Sequence, residues 1–108
     1  MAETTSELTE IINRFRQALG EAGIRCEQML IYGSQRWGTA AEGSDIDLIV
    51  ISPDWASFSW RERLELLGVV AARILEPMQA QGFTPEEMAG QELSPFWQEI
   101  LTREATPV

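Results

Sequence analysis

The chain contains no lysine and no histidine: its eight basic residues are all arginine, set against seventeen acidic ones in 108 residues. Without histidine there is no Ser-His-Asp triad and no His-ligated zinc. The single cysteine, Cys26, excludes an intrachain disulfide and a Cys-rich metal centre. It suits a reducing compartment and reads as a small buried hydrophobe. No apolar run approaches the roughly 18 residues of a membrane span. The opening Met1-Ala2-Glu3-Thr4-Thr5-Ser6-Glu7 is polar and acidic rather than a signal peptide, so a cytoplasmic protein is expected. The formal charge of −9 makes nucleic acid a poor partner, because phosphate contacts need clustered positive charge. Chemistry must then rest on Asp, Glu, Ser, Tyr, Arg, backbone groups or a metal.

Length and the 44% hydrophobic fraction describe one globular domain over residues 1–108. Leu8, Ile11, Ile12, Phe15 and Leu19 recur at helical spacing, with Thr4 and Glu7 as a capping box and Gly20 as the stop. Gly23 opens a turn, and Cys26 to Tyr32 reads as a buried strand. Gln35 to Gly38 forms at most one helical turn. Asp45 to Ile51 is a second strand, apolar on both faces at its Leu48-Ile49-Val50-Ile51 end, as in a covered sheet. Ser52-Pro53-Asp54 breaks it. Trp60, Leu64, Leu67, Val70, Ala71 and Ile74 mark a long second helix, which Pro77 stops. Met78 to Phe83 is a weak third strand. Thr84-Pro85-Glu86-Glu87 starts a helix, Pro95 to Leu101 gives a last short one, and the tail after Arg103 reads as loose. Trp37, Trp55, Trp60 and Trp97 suit core or interface packing better than a base-stacking platform.

The informative stretch is Tyr32-Gly33-Ser34-Gln35-Arg36-Trp37-Gly38, then Gly43-Ser44-Asp45-Ile46-Asp47-Leu48-Ile49-Val50. Side chains at i and i+2 of a strand point the same way, so Asp45 and Asp47 stand together. Two ionised carboxylates this close repel unless a cation lies between them, and hard oxygen ligands suit Mg²⁺ or Mn²⁺. Gly33 and Ser34 close the preceding strand. The backbone N–H groups there and the Ser34 hydroxyl make an anion site, and Arg36 on the same turn can reach a phosphate. One part holds a polyphosphate and the other the metal that neutralises it, which together describe a nucleoside triphosphate site. Taken singly, each piece is bland: an Asp-x-Asp pair is most often a solvated loop edge, and Gly-Ser most often a turn. The ordered combination is what carries the reading.

Gly33-Ser34, ten intervening residues and Asp45-Ile46-Asp47, flanked by Leu30-Ile31-Tyr32 and Leu48-Ile49-Val50, resemble the minimal nucleotidyltransferases of the DNA polymerase β superfamily. Thr84-Pro85-Glu86-Glu87 and Phe96-Trp97-Gln98-Glu99-Ile100 resemble later segments of the same family. The resemblance implies an α+β fold, a small mixed sheet with helices packed on it. It implies transfer of a nucleoside monophosphate, AMP from ATP, to a hydroxyl with release of pyrophosphate. Asp45 and Asp47 would bind Mg²⁺ as the catalytic pair, and Gly33, Ser34, Arg36 and Ser44 would hold the nucleotide. Such proteins often act as antitoxins to a small HEPN-domain toxin, which they adenylylate. The acidic surface is compatible with a protein partner, and a homo-oligomer is equally open. The sequence departs from the family at one point. Counting back from Thr84-Pro85, the third carboxylate of active members falls on Gln79, which neither carries charge nor accepts a proton. Glu76 is the substitute if that register shifts. The departure keeps a second reading alive: a catalytically silent module that acts by covering a partner.

Overall fold

The computed structural model describes residues 6–32, 46–76, 78–90, 94–101 and 106–107. Helix α1 (Ser6–Glu21) leads to strand β1 (Gln28–Tyr32), followed by β2 (Ile46–Ile51). A 3₁₀ turn (Pro53–Ser57) and helix α2 (Trp60–Arg73) carry the chain to β3 (Met78–Phe83). Helices α3 (Pro85–Ala89) and α4 (Pro95–Glu99) and a two-residue strand β4 (Thr106–Pro107) complete it. The fold is α+β, as the family resemblance implies. Among the described residues no helix is long and apolar enough to cross a membrane.

The sheet is mixed, in the order β3-β2-β1-β4. β1 runs antiparallel to β2 and β4, while β3 runs parallel to β2 because α2 provides the crossover. β2 is therefore central and covered on both faces, and five of its six residues are buried. Ile46, Leu48 and Val50 face α1 and α2 in the larger core with Phe15, Leu19 and Leu67; Ile49 and Ile51 join Leu30, Phe83 and Ile100 on the other face. The α1 stripe behaves as its spacing predicts, with Leu8, Ile12, Phe15 and Leu19 each at most 7% exposed. Its expected cap, Thr4, lies outside the described residues.

Three expectations change. The tail after Arg103 is not wholly loose, since Thr106 and Pro107 pair with Ile31 and Leu30 at the sheet edge. β1 leaves that edge open, and a chain end that finds unpaired backbone groups there is held by them. Helix α2 is stopped before Pro77, by Leu75 in the left-handed region (φ 59°). The Glu76 N–H donates to the Ala71 carbonyl and the Leu75 N–H to that of Ala72, which satisfies the last turn. Finally, Trp60 and Leu64 do not face the core; they are 50% and 48% exposed. The inward face of α2 is instead Arg63, Leu67, Val70 and Ala71.

Arg63 is buried because it has a full set of acceptors. Its guanidinium donates to the carbonyls of Phe58, Trp55 and Gly82 and, through both terminal nitrogens, to the Glu87 carboxylate at 2.8 and 3.0 Å. It also stacks on the Trp60 ring, 4.3 Å from the centroid. One side chain thus ties the 3₁₀ turn, α2, the end of β3 and α3 together. Gly82 is required there by close approach, since a Cβ would meet the Trp55 indole at 2.7 Å. Burial alone would push the Glu87 carboxyl up, but hydrogen bonds from Arg63 and the Thr84 N–H bring it below the ordinary carboxylate range.

Glu87→Ala strands the Arg63 charge in the interior and should destabilise by about 3 kcal/mol, read as a lowered urea midpoint. The folded pKa of Glu87 is depressed, so its contribution is present above the unfolded value of about 4.3 and should fade as pH falls through the folded value. Leu75→Gly should do the opposite and stabilise by about 1 kcal/mol, because the left-handed conformation no longer carries a Cβ and the lost side chain is 87% exposed.

Candidate functional site

The end of β1 and the start of β2 meet at one end of the sheet. Tyr32 is the cross-strand partner of Asp47, and Asp47 in turn is in register with Gln79 on β3. Cross-strand partners point to the same face, and adjacent strands lie about 4.8 Å apart. Tyr32, Asp47 and Gln79 therefore form a row across the sheet, on the face opposite α1 and α2. Asp47 is the one residue of β2 that is not buried. Farther along, this face is closed by α4, whose Trp97 meets Tyr32 edge-on at 5.6 Å and Phe83 at 5.5 Å. The row stands at the margin of that apolar cluster, half in contact with it and half open.

The electrostatics follow from this placement. Burial first, and the negative charge of Asp47 second, push the Tyr32 hydroxyl up to about 12. The phenol stays neutral, so the carboxylate and any cation it holds supply the charge in the row. Asp47 and the Gln79 amide oxygen are hard oxygen donors of the kind that Mg²⁺ or Mn²⁺ accepts. Among the described residues no group of three or more Asp, Glu, His or Cys is gathered as a metal cluster. The donor set fits a cation that takes its remaining ligands from phosphate and water.

Of the residues singled out in the sequence, Gly33, Ser34, Arg36, Ser44 and Asp45, with Trp37 and the turn expected at Gln35 to Gly38, lie outside the described residues. Asp47 and Gln79 are brought side by side. Glu76 is not in this row: its carboxylate accepts from Arg14 of α1 at 2.9 Å, just past the end of α2. Gln79, in register with Asp47, occupies the third-strand position. Sequence reasoning passed over Tyr32 as a flanking apolar residue. An antiparallel pairing that ends at Gly33 and begins near Asp45 sets Tyr32 opposite one of the two acids, and that signal was available. Cys26 is half-buried, with burial pushing its thiol up, as a packing residue would show.

The sequence profile of the nucleotidyltransferase domain family matches residues 9–105. The chain belongs to that family. Among solved structures, it is similar to a protein of Sulfolobus solfataricus provisionally named a nucleotidyltransferase, at 17% identity and a TM-score of 0.51, over 82% of this chain and 83% of that one. A likeness at this identity speaks for the fold. No curated protein matches the sequence.

The chain's only tyrosine makes the row measurable. Tyrosinate formation, followed by ultraviolet absorbance on folded protein, should have a midpoint near 12 for Tyr32. Asp47→Asn should move it down toward the usual value of about 10, with burial retaining part of the shift. A midpoint indifferent to Asp47→Asn would remove Asp47 from the neighbourhood of Tyr32. Because the folded pKa is raised, stability owed to neutral Tyr32 is intact below about 10 and is lost as pH rises through the folded value.

Proposed function

We propose that this nucleotidyltransferase domain moves AMP from ATP onto a protein hydroxyl, with Mg²⁺ or Mn²⁺ as the cation and a HEPN-domain protein as the partner. The observation that carries the reading is the position of Asp47. It is the one residue of β2 that is not buried, on a face where Tyr32 and Gln79 flank it and Asp45 is two residues away in sequence. The cation would sit on Asp45 and Asp47 and draw charge from the triphosphate, whose oxygens Gly33, Ser34, Arg36 and Ser44 would hold. The acceptor oxygen then attacks the α-phosphorus, its bond to the bridging oxygen breaks, and pyrophosphate leaves with that electron pair. The hydroxyl proton passes to solvent or to a carboxylate. Positioning and charge neutralisation make up most of the work in such a displacement.

A second reading has its own observation. The position abreast of Asp47 on β3 holds an amide, which neither adds negative charge nor takes the proton. Loss of a general base costs about 10²–10⁴ in rate. On this ground the domain is a silent module that neutralises its partner by covering it, and the register of Gln79 weighs toward this reading for the chemical step.

The two readings separate in one experiment. The protein, labelled ATP, Mg²⁺ and the product of the adjacent gene are incubated, and label on that product is counted. Transfer that is slow, abolished by Asp47→Asn and raised about 10²-fold or more by Gln79→Asp supports the enzyme. Absence of label, together with an Asp47→Asn variant that still neutralises the partner, supports the silent module.

A further inference from the structure

β3 is an edge strand, and among the described residues no strand pairs with its outer side. Its hydrogen-bonding groups can be assigned to sides. The Phe83 carbonyl accepts from the Ser52 N–H, on the β2 side. Alternate residues of a strand direct their N–H and C=O to opposite sides, so Gln81 and Gln79 also bond toward β2, while Gly82, Ala80 and Met78 point outward. The Gly82 carbonyl confirms this, since it accepts from Arg63 of α2 at 3.0 Å. Arg63 thus closes the outer edge at its far end, and the outward groups of Ala80 and Met78 remain as the template.

The edge carries none of the devices that usually protect one. Met78-Gln79-Ala80-Gln81-Gly82-Phe83 has no charge and no proline in a chain whose charged fraction is 23%. Beside it runs a groove of about 240 Å³, walled by the half-exposed Leu64 and by Gly68, with Leu67 as its floor. Gln79 borders the groove along the edge, while its side chain shares the opposite face of the sheet with Asp47. An edge strand facing a helix across a groove takes an extended chain, whose main chain joins the sheet while alternate side chains enter the groove.

We propose that the outer edge of β3 is the docking strand for an extended, cationic segment of a protein partner. The segment adds to the sheet along the outer edge of β3 and sets one apolar side chain against Leu64 and Gly68. Charge selects this occupant: two copies of a chain carrying −9 repel one another, whereas a segment bearing Arg or Lys is attracted. The inference deepens the proposed function by giving the acceptor or covered protein a surface that holds it, and rests on that reading only for what happens after docking.

The test uses the full chain without nucleotide and a displayed library of random short peptides. Clones retained by the wild type should be rich in Arg and Lys with apolar residues at alternate positions. They should bind about tenfold more weakly to Ala80→Pro, which removes an outward N–H while leaving the β2 ladder intact. Leu64→Arg, at an exposed helix position, should weaken them similarly by removing the apolar contact and adding like charge, and guards against a folding defect in the first variant. Amide shifts on adding a selected peptide should concentrate in Met78 to Gly82 and Leu64 to Gly68. Equal binding to wild type and both variants, no enriched clone, or a dimer of this chain that Ala80→Pro dissolves would each overturn the proposal. Peptide binding is read without nucleotide or partner, so a failure of nucleotidyl transfer and a failure of docking read separately.

Discussion

A strand in the middle of a sheet covered on both faces has to be apolar along its whole length, because each buried polar group must find a partner or carry a desolvation cost. β2 obeys this at every position but Asp47. That one exception organises what surrounds it. The antiparallel partner ends at Tyr32 and the parallel partner begins at Met78, so the carboxylate is flanked by a phenol and an amide at the only part of β2 that is not buried. The same carboxylate helps keep Tyr32 neutral, and it is the group through which a divalent cation would act on a bound phosphate.

At the other end of β3 a second polar group is buried, and there the logic is reversed. Arg63 is held by three carbonyls and a carboxylate, and it has no opening toward a ligand. It holds the crossover helix to the strand it precedes. It also uses the Gly82 carbonyl, so the outer edge of β3 is sealed at the end away from Asp47, while among the described residues no strand pairs with the end beside it. The strand that carries Gln79 is thereby one side of the candidate site and, along its outer edge, the border of a groove on the α2 side. An amide on such a strand weakens the case for rapid turnover and leaves the case for docking untouched.

Much of this was legible in the residues. The helical stripe of α1, the doubly apolar β2, the Thr84 cap with its Glu87 partner and the Asp47 end of β2 follow from period and capping chemistry. The α2 boundaries were less so. Pro77 looked like the stop, but a left-handed Leu75 ends the helix first, and nothing in a leucine announces that conformation. Trp60 and Leu64 fit the apolar stripe as well as Leu67 does; which of them is covered depends on where β3 ends laterally, a property of the assembled sheet. Arg63 is a charge that no local pattern marks for burial, and it is buried because four separate segments converge on it.

Local pattern alone decided the elements, the acidic character and the pairing of a Gly-Ser turn with an Asp-x-Asp strand, since those depend on spacing within a few residues. Which residue stands abreast of Asp47 was decided by strand register. A shift of one residue along β3 would have brought a different side chain to that face, whereas Glu76 lies three residues before Gln79, ahead of β3, where Arg14 binds its carboxylate. The open edge likewise belongs to the assembly: only when α2 has crossed the sheet does β3 become the last strand with a groove beside it.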